Sequence, residues 1–271
     1  METRGLRPDE KLGPTFLLYH DVLAAAGGDA RLARTRFERH IATIANAGYR
    51  FVPMAFFLDT LPAEDGAPAA SPPLTARDVV VTVDDGSRSF LSIVWPVLKD
   101  HGVAPTLFVL AGFMGLSGDV DFMTWDDLVT LAEAGVDIGS HGAGHIPLDE
   151  IDVERAREDV LGAASALRAH GFAPRTFAYP FGRYNDATKG FVREAGYEAA
   201  FSVMGGGWDR FEIRRKMFTG LEGVVATRFV MSREFFPIRE AVRSVVPKRF
   251  LMQEQPIALN RWGPEAFGVK D

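Results

Sequence analysis

Two short polar motifs in this sequence contain the residue types needed to hydrolyse an amide or an ester. The first is 82–86 (TVDDG), with two carboxylates at the end of an apolar run, and the second is 141–145 (HGAGH). One carboxylate and two imidazoles form a three-ligand set for a divalent metal, with open positions for water and substrate. The other carboxylate is then free to act as a base, which completes the minimum chemistry of metal-assisted hydrolysis.

The adjacent carboxylates of Asp84 and Asp85 can share one pocket only if their strand ends there. Neighbouring side chains on a strand point to opposite faces, and Gly86 permits a turn that would break this alternation. In parallel α/β folds, functional sites lie at the carboxyl ends of the strands, where this pair stands. Taken alone, the pair could equally cap the helix that we expect at 88–101.

The two histidines of the second motif also follow a strand-like run, at 136–140. We expect His141 and His145 to begin a helix, which would place both imidazoles on one face, one turn apart. A lone pair at this spacing is often surface decoration. Residue 142 is glycine and not glutamate, which excludes the zincin pattern and means that a base must come from elsewhere. The carboxylate pair supplies one, so the two motifs together favour a metal site.

Further candidates lie at other strand ends. His20 would be structural by itself, but beside a metal site it is a candidate general acid. The run 177–182 (FAYPFG) is either core plus a turn, or an apolar wall with a backbone N–H for an oxyanion. The second alternative assigns substrate binding to Tyr179, Pro180, Phe181 and Gly182.

A basic cluster interrupts the last strand-like run. Strand alternation places Ile213, Arg215 and Met217 on one face. If that face points inward, Arg215 needs a buried carboxylate partner, and Asp84 is the obvious one.

Short β-rich runs alternate with helical patterns along most of the chain. The alternation predicts an α/β fold, a distorted (β/α) barrel of about seven strands. Glycines follow the helical runs, where helix C-caps are expected. The predicted strands are 14–19, 49–52, 78–83, 106–110, 136–139, 175–179, 197–203 and 211–218. The predicted helices are 31–47, 88–101, 124–134, 150–170 and 186–195.

We expect 1–220 to form the barrel and 221–271 to form a C-terminal helical extension packed on it. Within the barrel, 61–77 is rich in Pro, Ala and Gly and predicts a surface loop. After Pro237, an apolar stripe at helical spacing runs to Val246. Packing on the barrel is the usual role of such a stripe; the minority alternative is contact with a partner protein or a membrane surface.

Composition limits the function classes. The chain has 271 residues with 47% hydrophobic residues, enough for one barrel of roughly 250 residues. A net charge of −6 argues against nucleic-acid binding, and the lack of cysteine excludes disulfides and thiolate metal sites. The polar N-terminus shows no signal peptide, and no apolar run is long enough to span a bilayer, so we expect a cytoplasmic protein.

Over roughly 13–218, the sequence resembles the polysaccharide deacetylases of carbohydrate esterase family 4. Its TVDDG run is similar to the family's Thr-Phe-Asp-Asp-Gly, and HGAGH to the family's His-(Ser/Thr)-x-x-His. The resemblance implies Asp84 as the catalytic base and Asp85, His141 and His145 as metal ligands.

The sequence departs from the family pattern in two places. The usual Arg-x-Pro-Tyr is replaced by 178–181 (AYPF), so alanine stands where arginine is expected. The usual C-terminal Leu-x-His has no match, but Leu18-Tyr19-His20 has this form near the N-terminus. This resembles the circularly permuted branch that includes the poly-β-1,6-N-acetylglucosamine deacetylases, and it implies His20 as the acid. It also makes Arg215 a candidate replacement for the missing arginine. The aspartate that usually orients the acid has no clear match.

The resemblance implies removal of an N-acetyl group from an N-acetylated sugar or polysaccharide, with one divalent metal ion. Zinc is the first choice, and mixed nitrogen and oxygen ligands also admit nickel, cobalt or manganese. The alternatives are a deformylase, an O-acetyl esterase acting on a glycan precursor, and a weakly active or non-catalytic carbohydrate-binding relative.

Overall fold

The computed structural model describes residues 13–62, 69, 71–203 and 209–232. The strands are β1 (Thr15–Tyr19), β2 (Arg50–Phe51), β3 (Asp78–Val83), β4 (Thr106–Val109), β5 (Asp137–Ser140), β6 (Thr176–Ala178), β7 (Ala199–Ser202) and β8 (Ile213–Met217). The helices are α1 (Val22–Ala25), α2 (Ala30–Asn46), α3 (Met54–Leu58), α4 (Trp95–Asp100), α5 (Trp125–Glu133), α6 (Val153–Ala169), α7 (Asp186–Glu194) and α8 (Val224–Met231). Each predicted strand and each predicted long helix has a counterpart.

Seven parallel strands close into a barrel. The order around the ring is β1-β8-β7-β6-β5-β4-β3, and β3 pairs with β1 to complete it. The two-residue strand β2 pairs only with the start of β3. The predicted distorted (β/α) barrel is therefore confirmed, with one strand fewer than the regular eight-stranded form.

Strand alternation separates two apolar layers. Phe16, Val80, Phe108 and Phe201 come from different strands and pack together inside the barrel. Their neighbours along the strands, such as Leu17, pack outward against the helices. Both faces of the strands are thus buried, which explains their nearly continuous apolar sequences. The side chains that follow the inner layer towards the carboxyl ends of the strands form the site described below.

One predicted helix begins irregularly. The run predicted at 88–101 starts with a π-helical turn, Phe90–Val94, before α4. Pro96 has no N–H to donate within a regular helix, which accounts for the wider turn ahead of it. The short helices α1 and α3 have no predicted counterpart, because a stretch of four or five residues is too short to show a clear helical period.

Five glycines end the helical segments as predicted. Gly48, Gly102, Gly135, Gly171 and Gly196 all have positive φ, between 65° and 94°. Only glycine adopts this left-handed conformation without steric cost, and it lets the chain turn back towards the next strand.

A buried histidine joins α2 to β1 and α8. His40 is fully buried, with Nε2 2.8 Å from the Tyr19 hydroxyl and Nδ1 2.9 Å from Thr227 Oγ1. The Glu222 carboxylate lies 4.0 Å from Nδ1. Because both ring nitrogens have partners, His40 fixes the position of the first described helix beyond residue 220.

The described part of the predicted C-terminal extension is α8, which contacts the barrel domain. In addition to the His40 contact, the Tyr49 hydroxyl donates to the carbonyl oxygen of Met231 at 3.1 Å. The apolar stripe between Pro237 and Val246 lies outside the described residues, as do positions 63–68 and 70 of the predicted surface loop. Among the helices that the structure describes, none has the length and hydropathy required to cross a membrane.

We predict that His40 makes the stability of the protein depend on pH. Burial lowers the pKa of His40 from 6.5 to about 4, an effect that the Glu222 charge opposes. As the pH falls from 6.5 to 4, the unfolded chain binds a proton that folded His40 does not, so the free energy of unfolding decreases, by up to about 3 kcal/mol. His40→Gln should flatten this part of the profile, measured by urea unfolding with a chelator present. The exposed His101→Gln is the control, and equal pH slopes for wild type and His40→Gln would refute the prediction.

Candidate active site

The two carboxylates of the first motif share one pocket because β3 ends at Val83, directly before them. Asp84 continues the strand, since its N–H donates to the Tyr19 carbonyl at 2.9 Å. The chain then turns, with φ of 77° at Asp85 and 79° at Gly86. This breaks the strand alternation, so that both carboxylates are buried in the mouth of the barrel, with exposed fractions of 3% and 4%.

The two histidines lie on a loop, so the prediction that they begin a helix is wrong. Residues 141–145 follow β5 without helical structure, and α6 begins only at Val153. His141 still follows the sheet, because its N–H donates to the Val109 carbonyl at 2.8 Å. His145 has a φ of 47°, a left-handed conformation that turns its imidazole back towards His141.

The hydrogen bond at the far side of His141 determines which nitrogen faces the carboxylates. Nδ1 lies 2.7 Å from the carbonyl oxygen of Ala178, which can only accept, so Nδ1 carries the proton and Nε2 is free to bind a metal. His141 Nε2 and His145 Nε2 each lie 3.6 Å from Asp85 Oδ1. The three side chains thus converge on one point.

Asp85, His141 and His145 fit a divalent metal ion. Their ligand atoms all lie within 4.8 Å of one another. Two ligand atoms on one tetrahedral ion stand about 3.4 Å apart when each bond is about 2.0–2.2 Å, close to the distances observed here. Asp85 Oδ1 is buried and has no hydrogen-bond partner. A buried carboxylate oxygen without a donor is costly, and a cation would satisfy it.

Burial also sets the electrostatics of this cluster. It raises the pKa of Asp85 well above its usual value, and the nearby charges of Asp84 and Asp21 raise it further. It lowers the pKa of both His141 and His145, which keeps the imidazoles neutral. Neutral imidazole is the form that coordinates a metal.

Asp84 is engaged by Arg215 and is thereby distinguished from Asp85. Arg215 Nη1 donates to Asp84 Oδ1 at 2.6 Å and Nη2 to Oδ2 at 2.7 Å, while Nη1 also reaches Thr82 Oγ1 at 3.0 Å. The expected pairing of an inward Arg215 with Asp84 is confirmed, and the arginine is 1% exposed. Burial alone would raise the pKa of Asp84, but the charge of Arg215 and its hydrogen bonds lower it.

His20 follows β1, which lies between β3 and β8 in the ring, and so it stands close to Asp84 and Arg215. Its Nδ1 is buried without a hydrogen-bond partner. Burial lowers the pKa of His20 to about 4, with Arg215 and His141 lowering it further and Asp84 and Asp21 opposing. His20 is therefore neutral at pH 7 and must gain a proton before it can donate one.

The run after β6 is divided between core and site. Phe181 has a φ of 58° and its ring centroid lies 4.5 Å from that of His145, beside the metal-ligand cluster. Tyr179 instead is fully buried among the apolar residues beneath α6 and α7, where its hydroxyl donates to the Phe211 carbonyl at 3.0 Å. The structure therefore leaves Phe181 as the aromatic side chain of the predicted wall and places that of Tyr179 in the core, while Pro180 and Gly182 form the buried turn on either side of Phe181.

Sequence reasoning missed Asp159, a buried carboxylate on α6. Its oxygens accept hydrogen bonds from the N–H groups of Ala143 and Gly144, in the loop that carries both histidines. A signal was present in the sequence, since Asp159 lies three residues after Ala156 and four before Ala163, on the apolar face of its helix. A lone acidic residue on such a face requires a buried partner.

A comparison with known protein families shows which family this sequence is similar to. Residues 71–200 match the family model for polysaccharide deacetylase, and this segment includes both motifs, all three proposed ligands and Asp159. This segment of the chain is a polysaccharide deacetylase domain.

Individual relatives are distant in sequence. The putative polysaccharide deacetylase YxkH of Bacillus subtilis (strain 168) is 25% identical over 198 residues. This alignment covers 72% of this chain and 66% of YxkH, just under two thirds of its length. The structure of IcaB from Ammonifex degensii aligns with a TM-score of 0.65 at 23% identity, covering 81% of this chain and 97% of that one. The Streptococcus pyogenes deacetylase PplD gives 0.64 at 17% identity, covering 82% and 99%. These structures share the fold.

We predict that the purified protein binds about one divalent ion per chain through Asp85, His141 and His145. After dialysis against a chelator and reloading with Zn²⁺, elemental analysis should show this stoichiometry. His145→Ala should weaken the affinity by more than about 100-fold, because losing a ligand costs more than losing an outer partner of a ligand. His170→Ala, which changes an exposed histidine, is the control. Unchanged affinity in His145→Ala would remove this residue from the site.

Proposed function

We propose that this protein is a metal-dependent hydrolase that removes the N-acetyl group from an N-acetylated sugar or polysaccharide. The observation that carries the proposal is the convergence of Asp85, His141 and His145 on one point, with the Asp84–Arg215 pair at its side. The polysaccharide deacetylase domain at 71–200 supports it. The IcaB and PplD likenesses support the barrel as a scaffold for such a site.

Asp85, His141 and His145 would hold the ion, which when bound supplies a Lewis acid for the acyl carbonyl oxygen. The ligand set contains two neutral nitrogen donors and one carboxylate. Zinc is the first choice for it, and nickel, cobalt and manganese are also compatible. Zinc itself stays a prediction.

Asp84 is proposed as the base that removes a proton from the attacking water. Its lowered pKa keeps it ionised at neutral pH, and Arg215 fixes both of its oxygens in place. The lowered pKa also makes it a weaker base than a free carboxylate. Positioning at the reacting atoms is therefore its main contribution, and Arg215 takes the role of the arginine that the family pattern would place at 178.

His20 is proposed to protonate the departing amine. It is neutral at pH 7, so the proton that it donates is one gained during the reaction, and Asp84, which takes a proton from the attacking water, is the proposed source. An amine leaves poorly as an anion, which makes this step important for amides.

The turn after β6 is proposed to bind the acyl group. Pro180 has no N–H, and that of Gly182 donates to the Tyr179 carbonyl at 2.9 Å, so Phe181 carries the remaining candidate N–H for an oxyanion. The Phe181 ring offers an apolar face suited to a sugar ring or an acetyl methyl.

The alternatives have less support. A deformylase or an O-acetyl esterase would use the same residues, and no described contact favours either. A non-catalytic carbohydrate-binding relative would not need all four of Asp84, Asp85, His141 and His145, which the structure brings together. Assignment to the circularly permuted branch, the division into 1–220 and 221–271, the cytoplasmic location and a partner or membrane contact through 221–271 stay predictions.

The test of the proposed function is release of acetate from a panel of N-acetylated sugars by the metal-loaded protein. We expect Asp84→Asn to retain the metal and lose about 10²–10⁴-fold in turnover, the usual contribution of a general base. Asp78→Asn is a matched control, because Asp78 is a buried aspartate on the same strand, paired with Arg50 at 2.6 Å. Circular dichroism checks the fold of both. No acetate release from any sugar by the metal-loaded wild type would refute the function, and near-normal turnover of Asp84→Asn would refute the base.

A comparison of two substrates with different leaving groups can distinguish an acid role of His20 from a binding role. We predict that His20→Ala slows hydrolysis of an N-acetyl substrate by about 10-fold or more, within the range of acid catalysis. The loss should be smaller for an activated aryl acetate, because a phenolate leaves without a proton. His101→Ala serves as the control. Equal losses on both substrates would identify His20 as a structural or binding residue, and no loss on either would exclude it as the acid.

A further inference from the structure

The loop that carries both histidines has little regular structure of its own, so its backbone groups need partners elsewhere. On one side, the carbonyl oxygens of Gly142 and Ala143 accept hydrogen bonds from the N–H groups of Ala111 and Gly112, at 3.0 and 3.1 Å. These donors lie in the short 3₁₀ turn after β4. One side of the loop is thus held by the neighbouring strand connection.

The other side is held by the carboxylate of Asp159. The Ala143 N–H donates to Asp159 Oδ1 at 3.0 Å, and the Gly144 N–H donates to Oδ2 at 2.7 Å. Asp159 is 8% exposed and lies near the middle of α6. Hydrogen bonds from backbone N–H groups to a carboxylate are stronger than those between two neutral groups, so these two bonds hold the loop strongly.

We propose that Asp159 is a positioning residue that holds His141 and His145 at metal-binding distance. The inference rests on the proposed metal site. The two histidines stand at the two ends of the five-residue loop, and the N–H groups that Asp159 binds lie between them. Movement of this central part would change the separation of the two Nε2 atoms, although neither imidazole touches Asp159 itself.

The glycines of the motif match this role. A Cβ at residue 142 would lie 2.4 Å from Asp159 Oδ1, and one at residue 144 would lie 3.2 Å from Oδ2. The family pattern has serine or threonine at the position of Gly142. Here the carboxylate occupies the space that such a side chain would need, and the φ of 81° at residue 142 favours glycine as well.

The position of Asp159 argues against a purely helical role. It shares the buried face of α6 with Ala156 and Val160, where an apolar side chain would avoid the cost of burying a charge. It is also far from the start of the helix, which Asp152 caps by accepting from the N–H groups of Glu154 and Arg155. Within the described residues, Asp159 accepts its hydrogen bonds from the loop that carries the two histidines.

The test compares the Zn²⁺ affinity of the folded protein and its variants, by competition with a chromophoric chelator. Asp159→Ala should weaken the affinity by about 10–100-fold, the usual effect of losing a partner that orients metal ligands. Asp159→Asn should lie between this variant and wild type, because its amide oxygen can still accept one of the two hydrogen bonds. Circular dichroism at the same temperature checks that each protein is folded.

Asp152→Ala is the matched control, since it removes from the same helix another carboxylate that accepts two backbone hydrogen bonds. It should lower the thermal stability and leave the Zn²⁺ affinity unchanged. Gly142→Ala should weaken the affinity in the wild-type background, and less so together with Asp159→Ala, because the steric conflict is then absent.

The outcomes separate the two proposals. If wild type binds no Zn²⁺, the metal site itself is refuted, and this inference with it. If Asp159→Asn and Asp159→Ala both bind Zn²⁺ as tightly as wild type, the positioning role alone is overturned while the proposed function stands. Equal losses of affinity in Asp152→Ala and Asp159→Ala would also overturn it, since they would reflect helix stability. A graded loss confined to the Asp159 and Gly142 variants supports the inference.

Discussion

The buried ion pair between Asp84 and Arg215 is the interaction on which the arrangement of the barrel mouth depends. Arg215 lies inside the barrel, where an unpaired guanidinium would be far more costly than in water, and Asp84 accepts hydrogen bonds from both of its Nη atoms. Removing one partner of such a pair typically costs about 3–5 kcal/mol, although a well-packed apolar pair could replace both without loss. The pair therefore contributes more to geometry than to stability. It fixes β8 relative to β3 across β1, and it leaves Asp85 as the carboxylate that lies close to both histidines.

The same contact separates two chemically identical neighbours. Arg215 lowers the pKa of Asp84 despite its burial, whereas Asp85, with no such partner, has a pKa raised well above the usual value. Divergent pKa values in adjacent carboxyl groups are a common basis for a division of work between them. Here the division follows from a one-residue change of direction at the end of β3. Asp84 continues the strand towards Arg215, and Asp85 turns towards the histidines with a positive φ.

Much of the fold and the main residues of the site could be predicted from the sequence, because these depend on local pattern. The strands show apolar runs, and glycine marks the helix ends; the two motifs stand at strand ends, where α/β folds place their sites. The differences between the predictions and the structure concern features that tertiary contacts determine. His141 and His145 have a helical spacing, but Asp159 and the turn after β4 hold their loop in another conformation. Tyr179 and Phe181 look equivalent in sequence, yet one packs into the core and the other faces the site, because the chain turns between them.

Closure of the barrel links the folding of the chain to the orientation of Asp84, the proposed base. The first strand of the barrel pairs with the last, with Phe16 opposite Arg215, so this seam joins segments far apart in sequence. Contacts of such long sequence separation form slowly, and seams between chain ends are natural places for local opening. The proposed metal ligands follow β3 and β5, two strands that do not form this seam. Opening between β1 and β8 would release Arg215 from Asp84 while Asp85, His141 and His145 stayed together, so that a partly open barrel would keep the proposed metal ligands and lose the orientation of the proposed base.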